Sequence, residues 1–63
     1  MDPTLELLMS QIEDRRKQML EGIGDGAAKD YASYQYAVGY TRGLLTVQGM
    51  IADLAKRMET EDD

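Results

Sequence analysis

Apolar residues recur every three or four positions in the first third of the chain: Leu5, Leu8, Met9, Ile12, Met19, Leu20 and Ile23. At about 3.6 residues per turn this spacing places them on one face of a helix. Pro3 suits a first helical turn, where its missing N–H costs no bond. Asp2 or Thr4 can cap that turn, and Glu6 matches the positive end of the helix dipole. The pattern predicts an amphipathic helix over about residues 3–22. Leu7 falls off its apolar face, and Arg16 falls on it, where a long aliphatic stem can carry the charge outward or the guanidinium can meet a carboxylate of a neighbouring chain and fix register.

A second and longer pattern follows. Tyr36, Tyr40, Leu44, Val47, Ile51, Leu54 and Met58 form one stripe whose spacing alternates between four and three from Tyr40 onward. That approaches a coiled-coil heptad. A lesser strip, Tyr31, Tyr34, Val38, Leu45 and Ala52, lies on the far side. The expected helix runs from about Gly26 to about Glu59; a later start, with Asp30 as its cap, is the alternative. No strand-like alternation occurs anywhere.

The stretch EGIGDGAA separates the two patterns. Gly22 or Gly24 can take the left-handed conformation that closes a helix, and Asp25 can cap the next one. So short a connection makes the helices antiparallel. The expected fold is therefore all-α, one domain over 1–63. It is an antiparallel two-helix hairpin with a longer second helix, completed by oligomerisation or a partner. Its parts are a first helix at about 3–22, a hinge at about 22–26, a second helix at about 26–59 and an acidic tail at 60–63.

Counting back from a hinge near Gly24 sets Ile12 opposite Tyr36, Leu8 opposite Tyr40 and Leu5 opposite Gly43. All four tyrosines of the chain fall within a stretch that also holds two glycines a helical turn apart. Each glycine costs about 1 kcal/mol of helix propensity relative to Ala. Glycines four apart let another backbone come close. Tyr31, Tyr34, Tyr36, Gly39, Tyr40 and Gly43 are thus expected to form a packing seam with the first helix. The second helix would then overhang the first from about Thr46 to Met58 by the difference in their lengths. Its exposed stripe, with Leu44, Val47, Met50, Ile51, Leu54 and Met58, is the expected interface to another helix, most simply a symmetry mate.

Composition narrows the function. At 63 residues the chain forms one domain at most, and domains of this size are marginal alone. It contains no Cys and no His, which removes disulfides and the main zinc ligands. Partner subunits are the remaining remedy. The same absence leaves no His or Cys for acid–base or nucleophilic catalysis, so no enzyme activity, metal or cofactor is expected. The glycines of GIGDG do not match a phosphate loop. A net charge of −5 opposes binding to nucleic acid or to anionic membranes. Only Lys29 and Arg42 flank the rings, too little for a base-stacking surface. The EDRRKQ cluster offers a Glu13–Lys17 pair, and Asp53 with Arg57 offers another. A solvated polar face explains these charges.

KDYASYQYAVGYTRGLL, followed by an aliphatic helix, LAKRME and a terminal EDD, resembles a family of small tailed-bacteriophage proteins encoded among head and portal genes. The resemblance covers about residues 28–63. It rests on Asp30, Tyr31, Tyr34, Gly39, Gly43 and Leu44. It implies a helical hairpin of no established activity, located in the virion or the host cytoplasm. It also implies a role as a virion or assembly component, as a homo-oligomer or bound to a portal or capsid. The alternative is a small acidic phage regulator that binds and inhibits a host protein, motivated by the net charge.

Overall fold

A computed structural model describes residues 1–26 and 29–61. It contains two α-helices packed against each other, α1 (Pro3–Gly24) and α2 (Tyr31–Glu61). Among the described residues there is no strand. The second helix is the longer, 31 residues against 22. The molecule is a rod, 51 × 16 × 11 Å.

The start of α1 follows from its sequence. Asp2 is the N-cap, and its carboxylate oxygen accepts from the backbone N–H of Thr4 at 2.7 Å and of Leu5 at 3.3 Å. Pro3 then occupies the first turn. The other end lies beyond the expected position. The helix runs through Gly22 and Ile23 to Gly24, and the Asp25 and Gly26 N–H groups bond back to the carbonyls of Glu21 and Ile23. The residue with positive φ is Gly26, at 85°, and neither Gly22 nor Gly24 takes that role. Left-handed backbone there costs glycine nothing, whereas a side chain would be strained.

The second helix begins at Tyr31 and not near Gly26. Asp30 supplies the cap by accepting from the Ser33 N–H at 2.7 Å, so Asp25 does not serve α2. The physical reason is the position of the acid: Asp30 stands immediately before an unbroken run of helix-compatible residues, as an N-cap requires. The expected passage of the helix through 27–28 and the end of the acidic tail at 62–63 lie outside the described residues. Thr60 and Glu61, expected in a fraying tail, belong to α2.

The pairing of the helices corrects the expected register. Glu13 and Arg16 of α1 reach Gln48 of α2, and the Met1 amino group lies 3.8 Å from Glu59. Ile12 therefore packs near Ile51, far from Tyr36. The beginning of α1 reaches almost to the end of α2, so the unmatched length of α2 sits at the hinge end around Tyr31. The supposed overhang from Thr46 to Met58 has α1 beside it.

The core is thin. Among the described residues the buried apolar side chains are Ile12 of α1 and Ala37, Ile51 and Ala55 of α2. Leu5, Met9, Met19 and Ile23 of α1, with Thr41, Leu44 and Gln48 of α2, are half-buried around them. Ala37, Thr41, Leu44, Gln48, Ile51 and Ala55 recur at spacings of four and three. This is a heptad seam. It runs one position away from the tyrosine-rich stripe that hydrophobicity singles out.

Candidate functional site

The tyrosine–glycine seam does not form against α1. Tyr31 is 72% exposed and Tyr36 70% exposed; Tyr34 is exposed as well, and only Tyr40 is half-buried. A Cβ built on Gly39 or Gly43 would meet nothing within 4 Å. No helix approaches closely there, because the register brings Ala37 and Thr41 to the contact. The rings instead meet one another or their own helix. Tyr36 and Tyr40 lie 6.2 Å apart between centroids with planes tilted by 33°, and the Tyr31 hydroxyl accepts from Gln35 at 2.9 Å.

The expected interface residues separate into two groups. Leu44 and Ile51 turn into the contact with α1. Val47, Met50, Leu54 and Met58 remain exposed, Met50 at 64%. At about 100° per residue Tyr36, Tyr40, Gly43, Val47, Met50, Leu54 and Met58 fall on one flank of α2, beside the seam. Spacings of four and three run along this flank too. α2 thus presents two adjacent faces, one covered by α1 and one open.

From Tyr36 to Leu54 the flank has no charged residue, in a chain that is 30% charged. Of the charges of this part of α2, Arg42, Asp53 and Lys56 sit on other sides of the helix by the same rotation per residue, while Arg57, seven residues after Met50, borders the flank at its carboxyl end. Charge depletion of this kind marks the centre of protein interfaces. At the hinge end the flank opens into a cleft between the helices of about 780 Å³, lined by Arg15, Met19, Ile23, Tyr36, Ala37 and Tyr40 among others.

Polar contacts hold the other side of the pair. Arg16 Nη1 donates to Glu13 Oε2 at 2.7 Å and to Gln48 Oε1 at 2.9 Å. Gln48 Nε2 donates to the same Glu13 oxygen at 2.9 Å, closing a triangle across the two helices. The hydrogen bond from Gln48, joined by the nearby charges of Arg16 and Lys17, holds the Glu13 carboxyl below its ordinary value of 4.5 against a smaller effect of desolvation. The ion-pair partner of Glu13 is Arg16 and not Lys17. Gln48, absent from the expected site, could have been found from Arg16 on the apolar face of α1: a charge in that position needs an acceptor from the helix opposite.

No helix among the described residues is long and apolar enough to cross a membrane. Comparisons with protein-family models, curated proteins and solved structures give no match. The fold class is an all-α two-helix hairpin whose second helix leaves an apolar flank open beside the contact with α1.

Proposed function

We propose that this chain is a non-enzymatic interaction module that joins a larger assembly through the open flank of α2. Following the resemblance of residues 28–63, the assembly is a tailed-phage particle or an intermediate in its construction. The observation that supports the reading is the charge-free stripe Tyr36, Val47, Met50, Leu54 and Met58, held in water beside a seam built mainly of smaller residues. Fully exposing a large apolar side chain forgoes about 1.5–3 kcal/mol relative to burial. A contiguous patch of such residues on a soluble surface marks an interaction site.

The reading places function in surface shape, with no catalytic group required. Quantifying the chain in purified particles tests it. Recovery in fixed proportion to the capsid or portal protein is expected, with loss of the chain from particles on Leu54→Glu. A chain confined to the cytosol of infected cells, or particles that retain Leu54→Glu at the original level, would overturn it.

A further inference from the structure

We propose that the open flank of α2 is covered by the same flank of a second copy, giving an antiparallel four-helix assembly with Val47 at its two-fold axis. The proposal rests on the reading of the chain as an interaction module and names its first partner.

Surface area is the first argument. A compact monomer of 7.1 kDa has an accessible surface of about 4,100 Å² by the mass scaling of folded monomers. This chain exposes 4980 Å². The excess, about 900 Å², is close to the roughly 800 Å² that each partner buries in a standard interface. One interface of ordinary size brings the chain to the surface of a compact protein.

The second argument is the order of side chains along the flank, which suits its own reverse. With Val47 on a two-fold axis, Tyr36 faces Met58 of the second copy and Tyr40 faces its Leu54. Gly43 falls opposite the turn that carries Met50. Rings at one end of the stripe thus meet aliphatic and thioether side chains at the other, and sulfur–ring contacts are favourable. Met50, the most exposed side chain in the middle of the stripe, meets the notch left by Gly43. That glycine has no role in the contact with α1, so its cost in helix propensity finds its reason in the second copy. Met58 of the second copy also arrives at the cleft lined by Tyr36, Tyr40, Met19 and Ile23. From Tyr36 to Leu54 the flank carries no charge, and the Arg57 residues that border it lie at opposite ends of the antiparallel contact, so the copies meet without like-charge repulsion along it despite the net charge of each chain.

The chain has no cysteine, so single cysteines report the contact cleanly. Val47→Cys should form a disulfide-linked dimer quickly under mild oxidation, while Leu45→Cys, exposed on another side of α2, should lag at least tenfold. Mixed Tyr36→Cys and Met58→Cys chains should join to each other in preference to themselves. Gly43→Leu should weaken self-association by tenfold or more in light scattering while the helical signal holds or rises, since its side chain enters open space in the single chain. Tyr36→Cys joining mainly to itself would overturn the antiparallel arrangement. A wild-type chain that stays at 7.1 kDa into the high micromolar range, with Val47→Cys no faster than Leu45→Cys, would overturn the second copy altogether. In that case Leu54→Glu separates the two readings. Its loss from particles would leave a module with a different partner, and its retention would end both.

Discussion

Along α2, Ala37, Thr41, Leu44, Gln48, Ile51 and Ala55 turn toward α1, while Tyr36, Val47, Met50, Leu54 and Met58 lie on the flank beside them and face outward. The covered stripe is the less hydrophobic of the two. It contains two alanines, a threonine and a glutamine beside one leucine and one isoleucine; the open one contains a tyrosine, two methionines, a leucine and a valine. Size explains the inversion better than hydrophobicity. Small side chains along a heptad seam let two helices approach closely, so that Ile12 and Ile51 are sealed by short neighbours. Large side chains next to such a seam are displaced to its rim, where much of their surface stays in water. The seam thus holds the hairpin together, and the flank stays open.

The largest effect that tests this division comes from placing a charge on each stripe. Ile51 is 7% exposed, so Ile51→Asp removes a core side chain and buries a carboxylate without a partner. A loss of about 3 kcal/mol or more is expected. In a hairpin with so few buried residues that abolishes most of the far-UV helical signal. Leu54→Asp, one turn along and 48% exposed, should leave that signal intact. Equal losses from the two substitutions would show that the stripes are not distinct.

Overpacking gives the next contrast. Ala55→Leu adds three carbons where α1 lies close, at a site 6% exposed, and should destabilise by about 1–3 kcal/mol in thermal unfolding. The same enlargement at Gly43 on the flank meets open space and should not lower stability. A melting temperature unchanged by Ala55→Leu would mean that the seam is looser than its burial implies.

These contrasts also explain what the sequence discloses and what it conceals. Asp2 before Pro3, and the three-four spacing from Leu5 to Ile23, make α1 legible almost to its end. The three-four spacing from Tyr36 to Met58 makes α2 legible as a long helix. The face that α2 turns to α1 is hidden, because two stripes with the same period lie one position apart. Ranking by hydrophobicity selects Tyr36, Val47 and Leu54 over Ala37, Gln48 and Ala55. The register is hidden for a related reason. Three glycines between Gly22 and Gly26 suggest a tight turn, yet α1 continues through two of them and α2 waits for Asp30. A hinge moved by a few residues changes every opposed pair. The exposure of Val47, Met50, Leu54 and Met58 agrees with the expected open stripe, although the overhang that first motivated it does not exist and Leu44 and Ile51 face α1.

A smaller effect distinguishes propensity from packing. Gly39 is helical, and a Cβ there meets nothing within 4 Å. Gly39→Ala should therefore stabilise the hairpin by up to about 1 kcal/mol, from reduced backbone freedom in the unfolded chain and better helix propensity. The substitution points away from the seam and lies at the edge of the flank, and a single methyl there should change self-association far less than Gly43→Leu does. A lowered unfolding midpoint would mean that a backbone does pass close to Gly39, restoring the tyrosine–glycine seam.

The polar side of the hairpin supplies the smallest effect, and one with a defined sign. The Glu13 carboxyl is held below 4.5 in the folded chain, first by the hydrogen bond from Gln48 and then by Arg16 and Lys17. A depressed carboxyl binds its proton less readily folded than unfolded, so its contribution to stability is complete above the unfolded value and is lost as pH falls through the folded one. The unfolding midpoint should thus decline on acidification below about pH 4.5. Asp30 adds a second decline below its ordinary 3.8, because its carboxylate accepts from the Ser33 N–H. The two are separable. Glu13→Gln should remove the earlier part of the decline and Asp30→Asn the later part, while Asn keeps an oxygen to cap α2. Glu13 is 41% exposed on its side chain, so added salt should shrink its share by screening. The cap bond of Asp30 is local and should be less sensitive. If Gln48→Ala leaves the Glu13 part of the acid profile unchanged, the triangle does not bridge the helices, and the register that places Ile12 near Ile51 loses its polar anchor.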